Sequence, residues 1–149
     1  MALILAAPGT GKTTWINSKF NINKLFEDSD NVCGDLHYKG FEQENHSEKY
    51  RMEHYKKIEK KLLFLKEKYG KVILGSLFWD FVPDAIVIIK ENQHRKHVEN
   101  RNDLTWESVC EINKFLFNHA KKYNIPIFND FNSCAHYIRN EIIEKKFNI

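Results

Sequence analysis

A chain of 149 residues is the size of one domain, because at this length a single core buries roughly two thirds of the unfolded surface. Hydrophobic residues at 42% and charged residues at 29% lie near globular averages, which excludes disordered, collagen-like and disulfide-scaffold classes. The net charge of +3, from 23 basic against 20 acidic residues, is too small to demand nucleic acid or an anionic membrane as partner.

In chain order, residues 2–6 (ALILA) form a short, wholly apolar run that reads as a buried parallel strand entering a Pro-Gly and Gly-Lys turn. Residues 12–20 predict a helix with Trp15 and Ile16 toward the sheet and Lys19 outward. A second strand is expected over 24–28, ended by the polar cluster Asp28-Ser29-Asp30-Asn31. Over 47–69, Tyr50, Met52, Tyr55, Ile58, Leu62, Leu65 and Tyr69 recur at helical spacing with Lys and Glu between them, predicting a long amphipathic helix that Gly70 ends. The basic run 55–61 reads as its solvated face. Strands follow over 71–77 and 85–89, a short polar helix over 92–101, and a helix capped by Thr105 that carries Val109, Ile112, Phe115, Leu116 and Ala120. A fifth strand over 125–128 and a last helix over 133–146 complete the chain. Strands alternating with helices imply a three-layer α/β sandwich on a parallel sheet, in a single domain over 1–149.

Cys33, Cys110 and Cys134 are odd in number and form no CxxC pair, so neither a disulfide framework nor a zinc knuckle is expected. No apolar run approaches the roughly 18 residues of a membrane span, and a cytoplasmic location is the expectation. Lysine outnumbers arginine 19 to 4, a bias that looks like low-GC coding and makes each arginine easier to scrutinise.

Residues 6–14, Ala-Ala-Pro-Gly-Thr-Gly-Lys-Thr-Thr, match the phosphate-binding pattern G-x-x-x-x-G-K-[ST] except that Ala6 replaces the first Gly. Between a strand and a helix, such a loop converges backbone N–H groups on phosphate oxygens. The nucleotide-binding set is therefore Pro8, Gly9, Thr10, Gly11, Lys12, Thr13 and Thr14. Gly9 and Gly11 allow close approach and positive φ. Lys12 is expected at the β- and γ-phosphates, Thr13 on Mg²⁺ and Thr14 near the α-phosphate of ATP. Ala6 matters little where the backbone keeps ordinary strand dihedrals.

There is no guanine-reading NKxD motif, no acidic Walker-B run and no second helical subdomain, which disfavours GTPases and AAA-type machines. The chain resembles the small P-loop kinases of the P-loop NTPase superfamily, the nucleoside and nucleotide monophosphate kinase group with its shikimate- and gluconate-kinase relatives. The loop A-A-P-G-T-G-K-T-T looks like that group's G-x-P-G-x-G-K-[ST]-T, Asp28-Ser29-Asp30 like its acceptor-side D-x-D, and K-E-N-Q-H-R-K-H-V-E-N-R like its lid helix. The resemblance implies a five-stranded sheet in the order 2-3-1-4-5, ATP at the loop, an acceptor beside strand two and a lid over about residues 92–104.

Two carboxylates at a strand's carboxyl edge suit a crevice where Mg²⁺ and an acceptor meet, with Asp28 on the metal side and Asp30 on the acceptor side. A turn with a helix cap at Asp30 or Asn31 accounts for the same residues equally. In the lid, Arg95 and Arg101 supply planar forks that grip phosphate oxygens, against the alternative of solvated surface arginines. Arg51 is a weaker candidate for an acceptor phosphate. His94 and His97, three apart and without a third ligand, read as surface histidines. Trp79 and Asp80 follow strand three, where the group usually carries an acid, but a buried aromatic and a loop acid explain them as well.

The expected function is Mg²⁺- and ATP-dependent phosphoryl transfer to a nucleotide or other small phosphate acceptor by a nucleoside or deoxynucleoside monophosphate kinase, its short length fitting a virus-encoded enzyme. The rivals are a polynucleotide 5′-hydroxyl kinase, with Asp30 as general base and a nucleic-acid end as acceptor, and a nucleotide- or partner-binding module that has lost transfer.

Overall fold

The computed structural model describes residues 3–29, 72–75 and 82–143, together with residues 53, 56, 57, 60, 61 and 64. Five strands, β1 (Leu3–Ala6), β2 (Phe26–Asp28), β3 (Val72–Gly75), β4 (Ala85–Val87) and β5 (Ile127–Phe128), form an all-parallel sheet in the order β2-β3-β1-β4-β5. The central strand β1 pairs on both edges, Leu3 with Ile73 and Ile4 with Ala85. Asp84 closes the bottom of the β1–β4 pair, its carboxylate accepting from Leu3 N at 2.9 Å and its own N–H donating to Leu3 O at 2.8 Å.

Strand alternation gives the sheet two apolar faces. Leu3, Leu5, Ile73 and Ile86 face α2 (Glu91–Glu99) and α3 (Trp106–Tyr123), which contribute Val98, Val109, Leu116 and Ala120. Ile4, Phe26, Val72, Leu74 and Val87 face the opposite way, onto α4 (Phe131–Tyr137) through Phe131, Cys134 and Ala135, with Trp15 and Ile16 of α1 (Lys12–Ile16) packed at the margin. Helices on both faces make the sheet the middle of three layers, as the alternation of elements predicts.

Several boundaries differ from expectation because polar side chains intervene. The first helix stops at Ile16 rather than reaching residue 20: the Ser18 hydroxyl donates to Trp15 O at 2.6 Å and the Asn21 amide to Ile16 O at 2.8 Å, consuming the carbonyls that further turns would use. Residues 22–24 form a 3-10 turn with Asn23 and Lys24 at positive φ, so β2 begins at Phe26. Strand β5 is shortened to Ile127–Phe128, because Ile125 N caps α3 at Ala120 O and Pro126 offers only its carbonyl, taken by Ile86 N at 3.0 Å. The last helix starts at Phe131, two residues early, because Asp130 caps it by accepting from Ser133 N at 2.7 Å. It passes into a π-helical stretch, Ile138–Ile143. Thr105 caps α3 as expected. In the predicted long helix, residues 53, 56, 57, 60, 61 and 64 are helical and exposed, and the apolar stripe assigned to it lies outside the described residues. No helix among the described residues is long and apolar enough to cross a membrane.

Asn21 completes the sheet edge. Its carboxamide accepts from Phe26 N at 2.9 Å and donates to Phe26 O at 2.9 Å, standing in for the neighbour that edge strand β2 lacks at that residue. Asn21→Ala leaves both groups of a buried residue unpaired, so a loss of about 2–4 kcal/mol is expected by urea unfolding. Asn21→Asp is expected to be at least as costly, since it swaps a donor for an acceptor opposite two carbonyls. A loss below about 0.5 kcal/mol in either variant would show that water serves this edge equally well.

Candidate functional site

The chain leaves the carboxyl end of β1 and turns onto α1 within Ala7–Gly11, which requires left-handed backbone at Gly9 (φ 78°) and Gly11 (φ 90°). The two glycines face different surroundings. A Cβ on Gly9 would lie 2.8 Å from Val98 Cγ2 of α2, so dihedral and space both exclude a side chain there. Among the described residues a Cβ on Gly11 would meet no atom within 4 Å, so within this set only the dihedral constrains it. Thr10 is turned inward, its hydroxyl donating to Ala7 O at 3.0 Å, which leaves the backbone as this residue's contribution to any ligand. Thr14 is exposed. Ala6 is a buried strand residue, so alanine satisfies the place where the motif has its first glycine.

Lys12 opens α1 and folds back over the loop, Nζ donating to Ala6 O at 2.9 Å and Ala7 O at 3.3 Å. These neutral acceptors hold the ammonium above the turn, where phosphate oxygens would be stronger partners. Thr13, one residue on, donates its hydroxyl to Asp28 Oδ2 at 3.2 Å. Asp28 ends β2 and is only 6% exposed, so both residues assigned to the metal side meet at the carboxyl end of the sheet. A hydroxyl and a carboxylate are hard oxygen donors of the kind Mg²⁺ takes alongside nucleotide phosphates. Among the described residues, no three His, Cys, Asp or Glu side chains converge to hold a metal by themselves.

His94 corrects the expectation of a surface histidine. It is fully buried on the inner face of α2, with Nε2 2.8 Å from Pro8 O and Nδ1 3.1 Å from Asn113 Nδ2 of α3. Its ring stands edge-on to Trp106, centroids 5.4 Å apart. Burial holds its pKa below the ordinary 6.5, partly offset by the bond to Pro8, while charge on His97 and Lys12 pushes the same way as burial. His97 is half-buried. The local sequence hides this role, since His94 lies 86 positions from Pro8; the available signal was its i,i+4 spacing to Val98, which sets both on one stripe of α2.

Arg95 and Arg101, expected to act as a lid, form no hydrogen bond to the loop. Arg95 Nε pairs with Glu99 one turn along α2 at 3.0 Å, and Arg101, past the helix end, grips Asp103 through Nε at 3.0 Å and Nη2 at 2.8 Å, all four side chains exposed. Asp30, Arg51, Trp79 and Asp80 lie outside the described residues. No protein-family model matches this chain, and no curated protein matches it at a significant level.

Gly11→Ala should cost about 1–2 kcal/mol of left-handed strain, whereas Gly9→Ala adds overpacking of about 1–3 kcal/mol against Val98. Equal urea midpoints for the two would show that α2 yields freely. The lowered pKa of His94 means that, between its folded value and 6.5, the unfolded chain binds the extra proton. Stability present above about pH 6.5 is therefore lost as pH falls toward the folded value, and the difference in urea midpoint between wild type and His94→Gln should change over that interval. Parallel midpoint curves from about pH 7.5 to about pH 5 would contradict it.

Proposed function

We propose that this chain is a P-loop kinase that transfers the γ-phosphoryl group of ATP, with Mg²⁺, to a nucleotide acceptor, nucleoside monophosphates being the acceptor class its motifs favour. The observation that carries the reading is the β1–α1 loop: two left-handed glycines, one backed by α2 and one with no neighbour among the described residues, with Lys12 folded back onto the loop carbonyls and Thr13 tied to Asp28. The strand order supports it as well, since it is the order that the resemblance to small P-loop kinases implies, although a fold alone does not fix an activity.

In this reading the loop amides and Lys12 bind the β- and γ-phosphates. Thr13 and Asp28 would hold Mg²⁺, which would supply charge neutralisation on those oxygens. An acceptor oxygen forms a bond to Pγ as the bond from Pγ to the departing ADP oxygen breaks, and the acceptor's proton leaves to solvent or to a nearby carboxylate, the role proposed for Asp30. Positioning and fixed charge do most of the catalytic work. A second reading, a nucleotide-binding module without transfer, draws on the outward pairing of Arg95 with Glu99 and Arg101 with Asp103.

Labelled ATP and Mg²⁺ incubated with nucleosides, nucleoside monophosphates and 5′-hydroxyl DNA separate the possibilities. Label is expected on a monophosphate; salt-sensitive transfer to DNA ends would instead identify a polynucleotide kinase, and binding without transfer a module. Lys12→Ala should lower turnover at least about a hundredfold while the unfolding midpoint stays close to wild type. Turnover near wild type in that variant would remove Lys12 from the reaction.

A further inference from the structure

We infer that His94 is a positioning residue of the phosphate loop: its Nε2–H holds the Pro8 carbonyl toward α2 and thereby aims the Gly9 N–H at a bound polyphosphate. The inference rests on the nucleotide-binding reading above and adds a residue that no phosphate-loop motif contains.

The hydrogen-bond chemistry fixes the imidazole. A backbone carbonyl only accepts, so at 2.8 Å from Pro8 O the Nε2 atom must carry a proton. In the neutral ring Nδ1 is then an acceptor, matched by the Asn113 amide nitrogen at 3.1 Å. The carboxamide keeps this direction although it leaves Asn113 Oδ1 buried and without a hydrogen-bond partner among the described residues. Burial favours the same neutral form. Donation therefore runs one way, from α3 through the ring on α2 to the loop, and Trp106 fixes the plane of the ring from its side.

The consequence lies in the peptide that follows. The chain has no cis peptide among the described residues, and in a planar trans peptide C=O and N–H point in opposite directions. Holding the Pro8 carbonyl against α2 thus turns the Gly9 N–H away from α2. Without that anchor the Pro8–Gly9 peptide could rotate, because glycine tolerates both signs of φ, and present its carbonyl dipole to an anion instead. Val98 keeps Gly9 in place sterically, but a van der Waals contact does not specify which way the peptide dipole points.

The test compares three substitutions by calorimetry with Mg²⁺-ATP and with Mg²⁺-tripolyphosphate, which probes the loop without a base. In His94→Gln, Nε2 stands as many bonds from Cα as in histidine and can still donate to Pro8 O. His94→Phe keeps the ring but loses the donor, and His94→Asn keeps an amide too short to reach Pro8. His94→Phe and His94→Asn are expected to weaken both ligands about tenfold or more, the loss that goes with one hydrogen bond to a charged acceptor, while His94→Gln stays within about threefold. In ¹⁵N spectra, the ligand-induced shift of the Gly9 amide should shrink in the two weak variants and persist in His94→Gln.

Binding of folded His94→Phe within about twofold of wild type would overturn the inference, as would His94→Gln binding as weakly as His94→Asn; the latter comparison decides even where the Phe variant does not fold. Wild type that binds neither ligand would overturn the nucleotide-binding reading itself and this inference with it. Wild-type binding with unchanged variants would overturn the role of His94 alone.

Discussion

Strand β1 is clamped on both edges and buried on both faces, and the site depends on that constraint. A strand so held has no freedom at its carboxyl end, and the chain must reverse onto α1 within Ala7–Gly11. Only left-handed backbone makes so tight a turn, which is why its two glycines carry the positive φ values. Among the described residues the turn is supported on one side: α2 fills the space behind Gly9, and no atom stands beside Gly11. One rigid side and one open side are what an anion site built from backbone amides needs, because the donors must already point outward before the ligand arrives.

The two helical layers serve different parts of this site. The layer of α2 and α3 supplies Val98, His94 and Asn113, which support the loop from behind. The opposite layer includes α1, whose Thr13 meets Asp28 from the far end of the sheet order. Asp28 is kept near its partner by how β2 begins: Asn21 joins the end of α1 to Phe26, so the helix carrying Thr13 and the strand carrying Asp28 are tied together through one carboxamide. The groups proposed for phosphate and for metal thus reach the same carboxyl edge through separate packing.

The parallel sheet was legible in the sequence because the elements alternate and most strands are short apolar runs, β2 with its Phe-Glu-Asp being the exception. The strand order came only from the resemblance to small P-loop kinases, and the loop was legible because glycine, lysine and threonine at that spacing answer local backbone and charge requirements. Element ends were less so. Ser18, Asn21, Asn124 and Asp130 end or begin helices through side-chain bonds or left-handed backbone, and such residues look like ordinary loop residues until their partners are known. His94 and Asn113 were hidden for a related reason. Each is a polar residue on an otherwise apolar stripe, His94 beside Val98 and Asn113 between Val109 and Leu116, so neither stands out from the solvated polar residues around it in the sequence. Their contact joins residues 19 apart and then reaches a carbonyl 86 positions away, which no local periodicity carries.

The anchoring of α2 also limits how a lid could work. A swing of the whole helix over the loop would pull His94 from Pro8 and Val98 from Gly9, breaking a buried hydrogen bond and a close apolar contact. Arg95 is fixed to that helix, so its guanidinium can approach phosphate only by changing rotamer and leaving Glu99. Arg101 lies beyond the cap at Asn100, but its own N–H donates to Val98 O at 3.0 Å and Leu104 packs back against the core beside Gly9, so this segment is tied to the same support. Its pair with Asp103 is exposed, and such pairs are worth about 0–1 kcal/mol, less than a bidentate contact to a polyphosphate returns. The outward pairing of Arg101 is thus a weak restraint, and the buried contacts of α2 are the strong one. A closure that kept the loop intact would therefore have to move the Arg101 side chain out of its pair with Asp103 rather than displace α2.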